Sequence, residues 1–165
     1  NEIEAKHGSV DRFVMLKLVY TNKEELYEAF AGEQVDAIAM AIVQMEGGSG
    51  FIMGDAPGNG KGRCAAGLIR YSIKQGRLPI FFTEKANLFS DLYRDLKDIG
   101  CEYYRPFIVN DKNGDNDPTI VDEYGMIVHK VPPAKLKSQA YKTGTIPHGY
   151  DFIMATYSQF TSSKP

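Results

Sequence analysis

The stretch FIMGDAPGNGKGR, residues 51–63, limits the folds open to this 165-residue chain more than any other. A short apolar run, Phe51-Ile52-Met53, reads as a buried strand and leads into a glycine-rich loop. From Lys61 to about Lys74 the pattern becomes helical, with Ala65, Ile69 and Ile73 along one stripe and Gly76 as the stop. Backbone N–H groups can converge on an anion only where no side chain blocks the approach and φ can be positive, which Gly58 and Gly60 permit. The positive end of a helix and a lysine that reaches the outer phosphates complete such a cradle. Strand, glycine loop, lysine and helix stand here in the order phosphate binding demands. The competing reading is a glycine-rich connection without a ligand.

The spacing departs from the strict G-x-x-x-x-G-K-[ST] pattern, because Asp55 occupies the place of the first glycine. It fits the looser form [AD]-x-x-G-x-G-K-T found in superfamily 2 helicases and remodelling translocases, with Asp55, Gly58, Gly60 and Lys61 in the defining places. Gly62 stands where a Ser or Thr hydroxyl ligates Mg²⁺. Its absence should weaken metal positioning and leave the amide cradle intact, so nucleotide binding is expected without efficient hydrolysis.

The rest of the chain supports an α/β reading. The first fifty residues read as helical: VDRFVMLKLVY is densely apolar (Phe13, Val14, Leu16, Leu18, Val19). TNKEELYEAF has a capping residue at Thr21 or Asn22, and EQVDAIAMAIVQME puts Val35, Ile38, Ile42 and Met45 on one face before Gly47-Gly48. After the loop come LPIFFT, NLFSDLYRDLKDIG, RPFIV and finally DFIMAT. Strands alternating with helices imply βαβ units, hence a three-layer α/β domain with a parallel sheet flanked by helices. The predicted organisation is a helical region at 1–49 packed on an α/β domain at 50–165 that carries the glycine loop. An insertion at about 110–149 holds a hairpin, TIV and MIVHKV around DEYG, and a short helix near PPAKLKSQAYK.

Composition narrows the setting. No run approaches the roughly 18–20 apolar residues of a membrane span, and NEIEAKHGSVDRF carries no apolar signal core. A cytoplasmic protein with reduced, buried Cys64 and Cys101 is expected, and no metal site or structural zinc. The net charge of −2 neither favours nor opposes nucleic acid.

At GDAPGNGKGRCAAGLIRYSIKQGRLPIFFTEKANLFSDLYRDL the chain resembles the strawberry-notch family of helicase-like ATPases, in particular its methylase-associated bacterial and phage members. The likeness extends to VDRFVMLKLVY and EQVDAIAMAI upstream and to DIG, RPFIVN and GYDFIMATYSQF downstream, nearly the whole chain. In that family Gly-Arg follows the lysine, so Gly62-Arg63 is a family trait. The resemblance implies an ATP site with Mg²⁺ built from Asp55, Gly58, Asn59, Gly60, Lys61, Gly62 and Arg63. Gln34 stands where such proteins read the adenine edge, or else it is a solvated polar residue of a helix. The resemblance further implies nucleic-acid contacts at Thr83, Glu84 and Lys85 and at Thr156-Tyr157, although Thr at strand ends also caps helices. The partners implied are ATP or ADP, DNA or RNA through the parent protein, and a methylase domain, with no membrane. The parent would need a DExH box, so the resemblance implies that residues 50–165 are an incomplete three-layer P-loop (RecA-like) domain, most of a first motor domain that stops short of that box.

Two stretches imitate functional motifs. Asp122-Glu123 in TIVDEYG suggests a Walker B strand, but only three apolar or small residues precede the pair and Gly125 follows, as in a hairpin turn. DKNGDNDPTIVD, with Asp111, Asn113, Asp115, Asp117 and Asp122, imitates a calcium loop but has Asn116 where glycine belongs and Asp122 where a Glu belongs. The alternatives from other classes are a small-molecule or nucleotide kinase that presents ATP on the same loop, and a non-catalytic scaffold that keeps the fold and binds protein partners through the insertion at about 110–149.

Overall fold

The computed structural model describes residues 2–54, 58, 60–112 and 117–161, which fall into two compact units. The first holds the described residues of Asn1–Arg77 with Asp95–Cys101, and the second those of Leu78–Arg94 with Glu102–Pro165.

The first unit is helical: α1 (Glu2–His7), α2 (Val10–Leu18), α3 (Lys23–Ala29), α4 (Gly32–Glu46), α5 (Lys61–Lys74) and the last turn of α6 (Leu88–Asp98). Its helices start where side chains can take up orphan N–H groups. Ser9 accepts from the Arg12 N–H at 3.1 Å, and Asn22, rather than Thr21, accepts from the Glu25 N–H at 2.8 Å. Leu26, Phe30, Ile38, Ile42 and Tyr71 are completely buried, each large apolar side chain contributing roughly 1.5–3 kcal/mol. Phe13, Val14 and Leu18 of α2 join them, while Leu16 and Val19 of the same dense run face solvent. Gly67 lets α5 approach α4, since a Cβ there would stand 2.9 Å from Ile38 Cδ1 and 3.0 Å from Phe30 Cζ.

Two expectations in this region need correction. Phe51-Ile52-Met53 does not form a strand, and Ile52 is 91% exposed. Three residues between Gly50 and Gly54 offer few ladder hydrogen bonds, and glycine on both sides weakens a strand further. The buried face of α5 is also rotated from the expected stripe. Cys64, Ala66, Gly67, Ile69, Arg70, Tyr71 and Ser72 are buried, whereas Ala65 and Ile73 are only partly so. Arg70 sits inside because its guanidinium collects carbonyls, donating to Leu18 O at 2.7 Å, Val19 O at 3.1 Å and Ile99 O at 3.4 Å.

The second unit holds the sheet. β1 (Ile80–Thr83), β2 (Pro106–Ile108) and β5 (Phe152–Thr156) lie in the order β1-β5-β2, all parallel, with Thr83 opposite Thr156 and Phe107 opposite Ile153. The chain is thus a mixed α/β protein whose parallel sheet, of three strands rather than four, is flanked by helices. The central strand, β5, is buried at four of its five residues, as a strand paired on both edges should be, and β2 is buried throughout. Between β2 and β5 come the expected hairpin, β3 (Ile120–Val121) with β4 (Ile127–His129), and α7 (Ala134–Thr143); α8 (Ser158–Thr161) follows β5. Asp122 makes the hairpin turn by accepting from the N–H groups of Tyr124 at 3.0 Å and Met126 at 2.8 Å, with Gly125 at φ +77°. The pair that imitated a Walker B acid is therefore a turn.

Candidate nucleotide site

The residues singled out from the sequence divide between the two units. In the first, Gly58 and Gly60 have φ of +93° and +70°, the left-handed region that glycine occupies without penalty. Gly60 is the N-cap of α5 and Lys61 its first residue, and the helix is established at once by Cys64 N–H donating to Gly60 O at 3.1 Å. Its first turn contains no acidic residue and no side chain caps its cap. A helix start of this kind directs amides toward an anion and carries partial positive charge. Asp55 and Asn59 lie outside the described residues.

Gln34, twenty-six residues upstream, is brought to this turn. Its carboxamide oxygen accepts from the Ala31 N–H at 3.0 Å, which closes the start of α4, and its Nε2 lies where a Cβ on Gly60 would have to go. It is therefore neither a solvated face residue nor a remote one, but a half-buried amide against the loop glycine. Gly62 is crowded in the same way. The space its side chain would fill is taken by the carboxylate of Asp95, from α6. Arg63 turns to that helix too, pairing with Asp98, standing 3.9 Å from Asp95 Oδ1 and donating to Ala29 O at 3.4 Å.

In the second unit Thr83, Glu84, Lys85, Thr156 and Tyr157 sit together at the carboxyl ends of β1 and β5. The Tyr157 N–H donates to Thr83 O at 3.0 Å, and its ring stacks on Phe82 with centroids 6.2 Å apart. Glu84, Lys85 and Tyr157 are exposed, whereas Thr83 and Thr156 are buried. Thr156 is held by Asn110, which donates to Thr156 Oγ1 at 2.7 Å and accepts from the Thr156 N–H at 3.0 Å. The Thr156 hydroxyl also lies 2.8 Å from that of Ser158.

The model for the family of P-loop containing NTP hydrolase pore-1 matches residues 17–164. The chain belongs to that family. No curated protein and no solved structure matches it. It is accordingly a nucleotide-binding P-loop NTPase domain, a class that generally works on nucleotide with Mg²⁺. Among the described residues no helix is long and apolar enough to cross a membrane, and no three His, Cys, Asp or Glu side chains are grouped to hold a metal. P-loop sites do not need such a group, because Mg²⁺ there takes one or two protein oxygens besides phosphate and water.

The imitation calcium loop is otherwise engaged where it is described. Asp117 accepts from the Thr119 N–H at 3.0 Å and pairs with Lys112 at 2.6 Å, and Lys112 and Thr119 hold its carboxyl down to about 2. Asn113, Asp115 and Asn116 lie outside the described residues. Two residues of the P-loop NTPase were missed by sequence reasoning, Asp95 and Asn110. The signal for Asp95 was the glycine at 62, which implies that something else fills the space. The signal for Asn110 was a polar residue directly after the apolar run RPFIV.

Proposed function

We propose that the chain is the nucleotide-binding part of a superfamily 2 helicase- or translocase-like ATPase of the strawberry-notch type, acting on DNA or RNA in the cytoplasm. The observation that carries this reading is Lys61 as the first residue of α5, directly behind two glycines in the left-handed conformation. In this reading Lys61 holds the outer phosphates and favours the charge that develops on them, while amides of residues 58–62 cradle them. Asp55, Asn59 and Arg63 complete the loop, and Gln34 borders the nucleotide. Bound Mg²⁺ would supply charge neutralisation between the outer phosphates.

Thr83, Glu84, Lys85, Thr156 and Tyr157 form the nucleic-acid side of the proposal. Their support is their common position at the carboxyl ends of two adjacent strands, with an exposed tyrosine ring on which a base can stack. A helical region at 1–49, a RecA-like domain at 50–165 with its insertion at about 110–149, and an associated methylase domain belong to the same reading. Among the described residues no adjacent Asp-Glu pair ends a strand of the parallel sheet as in a DExH box, and in this reading the chain binds ATP or ADP without efficient hydrolysis.

Calorimetric titration with ADP and with a non-hydrolysable ATP analogue, each with Mg²⁺, tests the proposal. Lys61→Ala should weaken binding by at least about 100-fold, the loss of a desolvated charge-assisted contact. Unchanged affinity in that variant would remove Lys61 and the loop from the site.

A further inference from the structure

We propose that Asp95 supplies, from α6, the metal-facing oxygen that a loop of this type ordinarily takes from a Ser or Thr hydroxyl at the position of Gly62. The inference rests on the nucleotide-site reading above and adds a residue to it.

Gly62 is the second residue of α5, immediately after Lys61. That is the place from which a P-loop hydroxyl reaches Mg²⁺. A Cβ built on Gly62 would collide with Asp95 Oδ2 and stand 3.2 Å from its Cγ, with Oδ1 farther off at 3.9 Å. The carboxylate therefore occupies the volume of the missing side chain, and glycine at 62 is what Asp95 requires. Oδ1 lies 3.9 Å from the Arg63 Nε, and Oδ2 is the atom nearest the side-chain position of Gly62. A carboxylate oxygen is a hard anionic donor and suits Mg²⁺ at least as well as a neutral hydroxyl.

Charge gives the idea its test. A carboxylate at the start of α5 favours the helix dipole while the site is empty. Once phosphates approach the same helix start, the like charges repel unless a divalent cation lies between them. Asp95 should thus make nucleotide binding depend on Mg²⁺. If the side chain only served α5 and Arg63, its charge would have no bearing on the metal.

ADP affinity is measured with Mg²⁺ and with EDTA for the unaltered chain, for Asp95→Asn, and for the double variant Gly62→Ser with Asp95→Ala. Thermal melts verify that each is folded. In the unaltered chain Mg²⁺ should tighten ADP binding by roughly tenfold or more, the scale of losing one well-placed metal partner. Asp95→Asn should bring that ratio close to one, and the double variant, which returns a hydroxyl to the vacated space, should restore most of it. An Asp95→Asn protein that keeps the full Mg²⁺ dependence would overturn the inference and leave the nucleotide site standing. Should Asp95→Asn fail to fold, the double variant decides, since without its serine, as Asp95→Ala alone, it must lose the Mg²⁺ dependence. No ADP binding by the unaltered chain in either condition would instead defeat the nucleotide-site reading, and this inference with it.

Discussion

The two units are each organised around a buried polar side chain, and the contrast between Arg70 and Asn110 reflects what helices and strands leave unsatisfied. Helices end with carbonyls that have no intrahelical partner. In the first unit Arg70 gathers those at the end of α2 and just beyond α6, and it is stacked on Tyr20, whose ring centroid is 4.0 Å from the guanidinium carbon. The Tyr20 hydroxyl donates to the same Ile99 carbonyl at 3.0 Å. A side chain with only donors suits a site with only acceptors. At the end of β5 a neutral amide suffices, because Asn110 accepts from the Thr156 N–H and donates to the Thr156 hydroxyl, one acceptor and one donor spent on a single residue. The helix ends of the first unit are thus held by a cation and the end of β5 by a neutral amide, although just beyond β2 the buried Lys137 donates to the Val109 and Asn110 carbonyls, again a donor-only group on acceptors.

Arg70→Met tests the first half of this contrast most severely. It keeps the buried stem but withdraws the guanidinium from the Leu18 and Val19 carbonyls, leaving Ile99 O to the Tyr20 hydroxyl, and should destabilise the protein by roughly 3 kcal/mol. Urea unfolding measures it, and a loss below about 1 kcal/mol would mean that water replaces the guanidinium at little cost. Asn110→Leu should cost less, roughly 2 kcal/mol, because the Thr156 N–H loses its partner while the Thr156 hydroxyl keeps that of Ser158. A cost equal to that of Arg70→Met would erase the distinction between the two hubs.

The smallest effect concerns pH and belongs to the sheet unit. His129 packs edge-on to the Tyr93 ring with centroids 5.5 Å apart, and its buried Nε2 has no hydrogen-bond partner among the described residues. Burial, and secondarily the charge of Arg105, lower its pKa below 6.5. The folded state therefore disfavours the imidazolium. Its contribution is complete above the unfolded value of 6.5 and declines as pH falls below it, because the unfolded chain takes the proton first. His129→Phe should flatten stability between pH 7 and pH 5 relative to the unaltered chain. An equal slope in the two would show that His129 does not carry the dependence.

The same contrast explains what could be read from the sequence. Elements fixed by local chemistry were legible: the cap at Asn22, the stops at Gly47 and Gly76, the hairpin turn at Asp122, and the run DFIMAT that becomes the central strand. The loop glycines were legible too, since the requirement for positive φ at Gly58 and Gly60 is itself local. What depends on distant residues was not. Phe51-Ile52-Met53 has the composition of a strand but no strand pairs with it, and Arg70 looks like a surface residue until the carbonyls of Leu18, Val19 and Ile99 are seen around it. Gly62 reads as a lost ligand until Asp95, thirty-three residues later, is found in its place.

Amide hydrogen exchange with and without ADP and Mg²⁺ tests the central claim most directly. If phosphates sit on the start of α5, added nucleotide should slow exchange in residues 58–64 more than anywhere else, and Lys61→Ala should remove that protection. Protection confined to other segments, or none at saturating nucleotide, would contradict it.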